Sequence, residues 1–176
     1  MHQQTQRTCA IGEAKGGSQA LVLLDVNLQA IATVETTADL PEDAGDDAYE
    51  PIRDVAVHGD QVIVLTDNAH PRGSGLRLLD LDGRFLRTIA AGQFRYPYAV
   101  TALHGRAFVV DDDVDADDDE EPGKVLYIID IQSGDILQSV NVELQGTVFA
   151  ILADDDEIYI ASYSRVVVLR YAGAEA

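Results

Sequence analysis

The chain repeats a short pattern of apolar residues and turn residues, and this repeat constrains the fold more than any other feature of the sequence. Each copy begins with four largely apolar residues, followed by Asp25, Asp80 or Asp130 in three copies and by Arg170 in the fourth. An apolar run, a polar turn and a second β-rich run predict two antiparallel strands joined by a tight turn, whose amides the aspartate caps. The four copies are LVLLDVNLQAIATV (21–34), LRLLDLDGRFLRTI (76–89), LYIIDIQSGDILQSV (126–140) and VVVLRYAG (166–173).

A second repeated pair of strands precedes three of these segments. The two pairs together make a unit of four antiparallel strands, a to d, that recurs about every 45–50 residues, which is the period of a β-propeller blade. We therefore predict an all-β fold, with a single β-propeller domain or fragment over residues 1–176 and blade repeats at about 8–34, 53–90, 98–140 and 148–173. The preceding pairs are RDVAVHGDQVIVLTDN (53–68), YAVTALHGRAFVVDDD (98–113) and VFAILADDDEIYIASYS (148–164).

The strand count predicts an incomplete ring of blades. The order b–c–d, a–b–c–d, a–b–c–d and a–b–c gives about fourteen strands, or about three and a half blades, whereas closed propellers have about 4 to 8 blades. An unclosed arc exposes an apolar sheet face and an open strand edge. We expect either a fragment of a six- or seven-bladed protein, which we favour, or a homo-oligomer in which two copies complete the ring.

The blades resemble NHL-type repeats and the six-bladed β-propeller proteins of bacteria. The similarity lies in the c–d pairs of segments 76–89 and 126–140 and in the connector AGQFRYPYAV (90–99), whose Gly, Phe and Pro are similar to the segment that leads into the next innermost strand. The resemblance implies a propeller that binds partners at these connectors. It also implies an alternative, a lactonase-like hydrolase that holds a metal ion at the central channel with single Glu, Asn and Asp residues, whose positions here stay unassigned.

The charge of the chain excludes several classes of partner. There are 31 acidic residues against 12 basic ones, which gives a net charge of −19. Such a surface repels phosphate backbones and anionic lipids, so we predict neither nucleic-acid nor membrane binding. Asp outnumbers Glu by 22 to 9, and Arg outnumbers Lys by 10 to 2. This Asp-rich, Lys-poor balance is typical of proteins from salt-loving microbes, and we favour a halophilic origin over an acidic mesophilic protein.

Two acidic insertions, at residues 36–51 and 111–123, are predicted to lie on the same face of the propeller, where the b–c and d–a connections emerge. The second insertion, within DDDVDADDDEEPGK (111–124), lacks the spacing of a calcium-binding EF loop. Counting from Asp111, the sixth residue is Ala116 rather than Gly and the twelfth is Pro122 rather than Glu. Like charges at this density repel each other, so we predict a solvated loop.

Few residues with catalytic or metal-binding side chains fall into recognisable motifs. His58 and His104 occupy the same turn in successive blades, but a zinc site needs further convergent ligands, so we interpret both as surface turn residues. Cys9 is the only cysteine, which rules out a disulfide within the chain. We assign no catalytic residue, no metal ligand and no cofactor.

One group of residues predicts a binding site. The connector FRYPY (94–98) places an arginine and three aromatics between two blades, while Arg53 and Thr147 open the innermost strands of the neighbouring blades. Arginine and tyrosine at a channel mouth are plausible binding anchors. The alternative is that Phe94 and Pro97 pack between blades and Tyr96 covers the edge. The predicted binding residues are Arg53, Phe94, Arg95, Tyr96, Tyr98 and Thr147.

The leading functional hypothesis is a non-enzymatic scaffold that recognises a protein, a peptide or a carbohydrate on its long-loop face. The alternatives are the metal-dependent hydrolase and a purely structural assembly module. The N-terminal sequence MHQQTQRTCAIG has no apolar region typical of a signal peptide. This predicts a cytoplasmic protein by default, or an extracytoplasmic one if the chain is truncated.

Overall fold

The computed structural model describes residues 8–13, 19–24, 27–35, 52–67, 74–112 and 123–171. These residues form fourteen strands in four antiparallel sheets, which confirms the predicted all-β fold. The sheets are β1–β2–β3, β4–β5–β6–β7, β8–β9–β10–β11 and β12–β13–β14. The strands are β1 (Thr8–Glu13), β2 (Gln19–Leu24), β3 (Ala30–Glu35), β4 (Ile52–His58), β5 (Gln61–Thr66), β6 (Gly75–Asp80), β7 (Phe85–Ile89), β8 (Ala99–Leu103), β9 (Arg106–Asp112), β10 (Lys124–Asp130), β11 (Ile136–Val142), β12 (Val148–Asp154), β13 (Glu157–Ser162) and β14 (Val166–Arg170).

The four sheets stack face to face in chain order, with an apolar core between each neighbouring pair. The second strand of a blade is apolar at consecutive positions because both of its faces are buried. In β5, Val62 and Val64 pack toward the first sheet, while Ile63 and Leu65 pack toward the third. In β9, Phe108 is fully buried and packs toward the fourth sheet. Burial of one such side chain contributes about 1.5–3 kcal/mol.

The innermost strands lie side by side, with β8 between β4 and β12. Two side chains of β4 bind the backbone of the third blade, one near each end of the strand. The Val100 amide donates to Asp54 Oδ2 at 2.9 Å, and the Gly105 amide donates to His58 Nε2 at 3.1 Å. These bonds hold the second and third blades in a defined register.

The turns after β6 and β10 confirm the predicted role of the repeated aspartate. Asp80 Oδ1 accepts hydrogen bonds from the amides of Asp82 and Arg84, at 2.9 and 2.8 Å. Asp130 Oδ1 accepts one from the amide of Ser133 at 2.7 Å. The equivalent Asp25 lies outside the described residues.

The acidic insertion 111–123 differs from the predicted solvated loop at its first two residues. Asp111 and Asp112 are the last residues of β9, and Lys124 is the first residue of β10, directly opposite Asp112. Asp111 is fully buried, and Asp112 and Lys124 are 7% and 2% exposed. The loop interpretation is therefore wrong for Asp111 and Asp112, because ladder pairing and specific polar partners compensate for burying their charges. Lys124 lies outside the predicted insertion 111–123. Residues 36–51 and 113–122 lie outside the described part of the chain.

The fourth sheet carries an uncovered apolar face. Leu152, Tyr159 and Val168 lie side by side across its three strands, and Leu152 and Val168 are 58% and 49% exposed. An uncovered sheet face of this kind agrees with the predicted incomplete ring. Within the described residues, no helix is long and apolar enough to cross a membrane.

Candidate binding cleft

The candidate site is a cleft where three innermost strands begin, on the face of the b–c and d–a connections. Arg53 is the second residue of β4, Tyr98 directly precedes β8 and Thr147 directly precedes β12. Because β8 lies between β4 and β12, these residues come together although they are far apart in the sequence. The cleft has a volume of about 570 Å³ and is lined by Arg53, Tyr96, Tyr98 and Thr147 together with Asp112 and Phe149.

A buried ion pair forms one wall of the cleft. Lys124 Nζ lies 2.6 Å from Asp112 Oδ1, and it also lies 4.9 Å from the centre of the Tyr98 ring. Burial, reinforced by the nearby Asp112 carboxylate, raises the pKa of the Tyr98 phenol. The phenol therefore stays protonated at neutral pH beside a compensated pair of charges.

The connector that carries Tyr96 and Tyr98 is held by a buried carboxylate. Asp111 Oδ2 accepts a hydrogen bond from the Arg95 amide and Asp111 Oδ1 accepts one from the Tyr96 amide, each at 2.7 Å. Burial raises the pKa of Asp111, against the opposing effect of these amide hydrogen bonds. The Tyr98 amide donates to the Val110 carbonyl at 2.8 Å, so the last residue of the connector is also bonded to β9. The aromatic side chains thus project from a backbone of defined position.

The other charged wall of the cleft is Arg53. Its guanidinium forms an ion pair with Asp67, whose side chain is only 6% exposed, while 47% of the Arg53 side chain is exposed. Arginine has five N–H donors, and the bond to Asp67 Oδ2 comes from Nη2. Arg53 is therefore oriented by a buried carboxylate, with part of its guanidinium still accessible from the cleft.

Two aromatic side chains of the cleft are strongly exposed. Tyr96 is 49% exposed and Phe149 is 52% exposed. The rings of Phe149 and Tyr163 are perpendicular, with centroids 4.2 Å apart and planes at 87°. Tyr163 is itself 82% exposed, so this aromatic pair stays largely accessible from the cleft.

Two predicted binding residues do not line the cleft. Phe94 is only 5% exposed and packs in the core between the second and third blades, with its ring centre 5.7 Å from that of Tyr127. Its amide and carbonyl both bind the Ser74 hydroxyl, at 3.1 and 2.6 Å, so its role is structural. Arg95 is half-buried, and its guanidinium carbon lies 5.9 Å from the centre of the Tyr96 ring.

Three residues of this candidate site were not predicted from the sequence. Asp112 belonged to the insertion 111–123, which we interpreted as a solvated loop, and Lys124 at the start of the following strand was given no role. One signal was available, because Lys124 is one of only two lysines in the chain and follows the acidic run. Phe149 was missed because its apolar strand gives no sign of which residues face a neighbouring blade.

On the opposite face, His58 is not the free surface turn residue that we predicted. Its bond to the Gly105 amide requires a neutral ring nitrogen, and burial, together with the proximity of His104, lowers its pKa. In the described part of the chain, no three His, Cys, Asp or Glu side chains form a group that could hold a metal ion.

Comparisons with known proteins place the chain by fold alone. No family model matches it, and no curated protein matches it. Glutaminyl cyclase from Myxococcus xanthus superimposes with a TM-score of 0.53 at 14% identity, covering 94% of this chain and 73% of that one. BamB from Moraxella catarrhalis superimposes with a TM-score of 0.51 at 16% identity, covering 85% of this chain and 36% of BamB.

The designed protein Ika8 gives a TM-score of 0.48 at 14% identity, covering 95% of this chain and 57% of Ika8. The chain thus spans well under two thirds of Ika8 and of BamB. Together with the four stacked antiparallel sheets, the likenesses to glutaminyl cyclase and BamB show a β-propeller-like fold.

Proposed function

We propose that this protein is a non-enzymatic binding scaffold, and that the cleft between β4, β8 and β12 recognises a protein, peptide or carbohydrate ligand. The observation that carries the proposal is the convergence of exposed aromatic rings and an oriented arginine around one cavity of about 570 Å³. Ligand sites are typically concave, have volumes of about 300–1,000 Å³ and combine apolar walls with a few oriented polar groups. The cleft meets all three criteria.

The rigidity of the cleft supports a binding role. Its aromatic residues lie on a connector held by Asp111 and on a strand where Phe149 packs against Tyr163. Binding to side chains that are already ordered avoids about 0.5–1.5 kcal/mol of entropy loss for each side chain that would otherwise be immobilised. A cleft whose residues are ordered in this way is expected to bind a ligand more tightly than a mobile surface of the same composition.

The hydrolase alternative receives no support from a particular observation. It needs a convergent set of metal ligands, and no such group is present among the residues that the structure describes. The likeness to glutaminyl cyclase, at 14% identity, concerns the fold. The binding role is therefore the better supported of the two proposals.

The test is a protein-observed NMR titration of the ¹⁵N-labelled chain with two probe sets, neutral hexasaccharides and uncharged decapeptides. At least one probe is expected to shift the amides of Tyr96, Tyr98, Thr147 and Phe149 as a group. The double variant Tyr96→Ala/Phe149→Ala should weaken that binding by at least tenfold. The matched control is Phe85→Ala, which removes a ring that is 39% exposed on β7, outside the cleft. Shifts confined to other surfaces, or no binding of either set at millimolar concentration, would contradict the proposal.

A further inference from the structure

The charges that line the cleft are already paired within the protein. Among the described lining residues, the charged ones are Arg53 and Asp112, and they pair with Asp67 and Lys124 respectively. The cleft is thus close to neutral on a chain whose net charge is −19. An anionic ligand would be repelled by the field of the acidic surface. A cationic ligand would be attracted by that field, but inside the cleft it would have to compete with Arg53 and Lys124 for carboxylates that they already neutralise. The lining itself therefore favours an uncharged ligand.

The exposed rings favour a ligand with flat apolar faces. Tyr96 and Phe149 each keep about half of their surface exposed. The Arg95 guanidinium lies over the Tyr96 ring and the Tyr163 ring packs against Phe149, so the sides of each ring away from these neighbours are the ones available to a ligand. A pyranose ring presents C–H groups on its faces, and these stack against aromatic faces, whose quadrupole is negative. The backbone amide of Tyr96 is held by Asp111, and the Phe149 ring contacts the ring of Tyr163. These contacts lower the conformational entropy that stacking would cost.

The polar groups beside these rings provide both donors and acceptors. Arg53 supplies planar N–H donors, Asp112 supplies a carboxylate, and the exposed Thr147 supplies a hydroxyl that both donates and accepts. Sugar hydroxyls donate and accept at several positions around one ring, so they match this mixture. A peptide backbone offers one N–H donor and one C=O acceptor per residue, whereas every hydroxyl of a pyranose can both donate and accept.

We infer that the cleft binds a neutral carbohydrate, with pyranose units stacked on the exposed rings of Tyr96 and Phe149 and hydroxyls bonded to Arg53, Asp112 and Thr147. This inference rests on the proposed function and narrows its ligand class. It assigns a stacking role to Phe149, which was not among the binding residues predicted from the sequence. The uncharged character of the ligand follows from the two ion pairs at the wall.

The experiment measures binding of the whole chain by isothermal titration calorimetry to maltohexaose, cellohexaose and chitohexaose. An acidic hexasaccharide, oligogalacturonate, and an uncharged proline-rich decapeptide are the comparison probes. At least one neutral hexasaccharide is expected to bind, at least tenfold more tightly than oligogalacturonate. Phe149→Ala and Tyr96→Ala should each weaken this binding by at least tenfold, while Tyr96→Phe retains it within about threefold. Phe85→Ala, on a distant surface, should leave it unchanged.

The outcomes separate the ligand class from the proposed function. Binding of the decapeptide at the cleft without binding of any sugar would overturn the carbohydrate inference and leave the binding scaffold standing. Oligogalacturonate binding as tightly as the neutral sugars would overturn the argument from paired charges. Binding of none of these probes at millimolar concentration would contradict both. A thermal melt of each variant, unchanged from the parent, confirms that the lost affinity reflects the cleft and not unfolding.

Discussion

Asp111 and Asp130 lie near the ends of neighbouring strands of the same blade and have opposite electrostatic environments. Asp111 is the second-to-last residue of β9, on the cleft face, where it is fully buried and binds the amides of Arg95 and Tyr96. Asp130 ends β10 on the other face, where its side chain is 20% exposed and pairs with Arg106. Burial raises the pKa of Asp111, whereas the Ser133 amide and Arg106 lower that of Asp130. One residue type thus either holds the connector of the candidate cleft or caps a tight turn, according to its surroundings.

The difference shows where the acidic residues of this protein matter for its structure. Asp130 carries out a local task, since its partners lie within its own blade and its turn. Asp111 carries out a longer-range task, because it holds the connector that enters the same blade from the preceding one. The neighbouring Asp112 forms an ion pair with Lys124, and this pair makes up one wall of the cleft. Carboxylates on the cleft face are thus part of the site's construction.

The largest effect should come from breaking the buried ion pair of the cleft. Lys124→Met leaves the Asp112 carboxylate buried without its cation, and we expect a loss of about 3–5 kcal/mol in the free energy of unfolding. The double variant Asp112→Asn/Lys124→Met should recover much of this loss. The measurement is urea unfolding followed by circular dichroism.

The matched control for the buried pair is the exposed pair of Glu157 and Arg170, whose closest atoms are 3.6 Å apart and whose side chains are 36% and 87% exposed. Arg170→Met should change the free energy of unfolding by no more than about 1 kcal/mol, because exposed pairs contribute little. Equal effects of Lys124→Met and Arg170→Met would refute the distinction between the two faces.

A smaller effect should separate the two aspartates directly. Asp111→Ala deprives the amides of Arg95 and Tyr96 of their acceptor, and a buried donor without a partner costs about 1–3 kcal/mol. Asp130→Ala should cost less, because water can reach the amides of its turn. Urea unfolding gives both values. The comparison fails if Asp130→Ala proves the more damaging change.

The smallest effect concerns pH, and its sign differs between the two sites. The folded pKa of Asp111 lies above its ordinary value of 3.8, so its contribution to stability falls as pH rises from 3.8 through the folded pKa. The folded pKa of Asp130 lies below 3.8, so its contribution is present above 3.8 and is lost as pH falls through the folded pKa. The expected measurement is the free energy of unfolding of the parent, Asp111→Asn and Asp130→Asn between pH 3 and about 6.

Differences from the parent isolate the two titrations, because other groups are common to all three proteins. Burial also raises the pKa of Asp54, but its contribution to the free energy of unfolding is the same in all three proteins and cancels in the differences. The advantage of the parent over Asp111→Asn should shrink as pH rises through the window, and its advantage over Asp130→Asn should shrink as pH falls. Slopes of the same sign would show that the environments of the two carboxylates are alike.

Much of the fold and part of the site could be predicted from the sequence. The fourteen strands and their grouping follow from apolar runs and Asp-containing turns, which are local signals. Arg53, Tyr98 and Thr147 were predicted as neighbours because each stands at the start of an innermost strand, and the repeat makes those positions equivalent. The period of the repeat thus located the cleft without any knowledge of its contacts.

Only the tertiary structure decided which residues face the cleft and which charges are buried. Phe94 and Tyr96 stand two residues apart in one connector, yet Phe94 enters the core and Tyr96 stays half-exposed. Asp111 and Asp112 have the composition of a solvated loop, but the pairing of β9 with β10 carries them into the sheet. The physical reason is that burial and pairing depend on what the neighbouring strands and blades bring to each position. Composition and periodicity report on the local chain, whereas the partners of a buried carboxylate come from residues that are distant in the sequence.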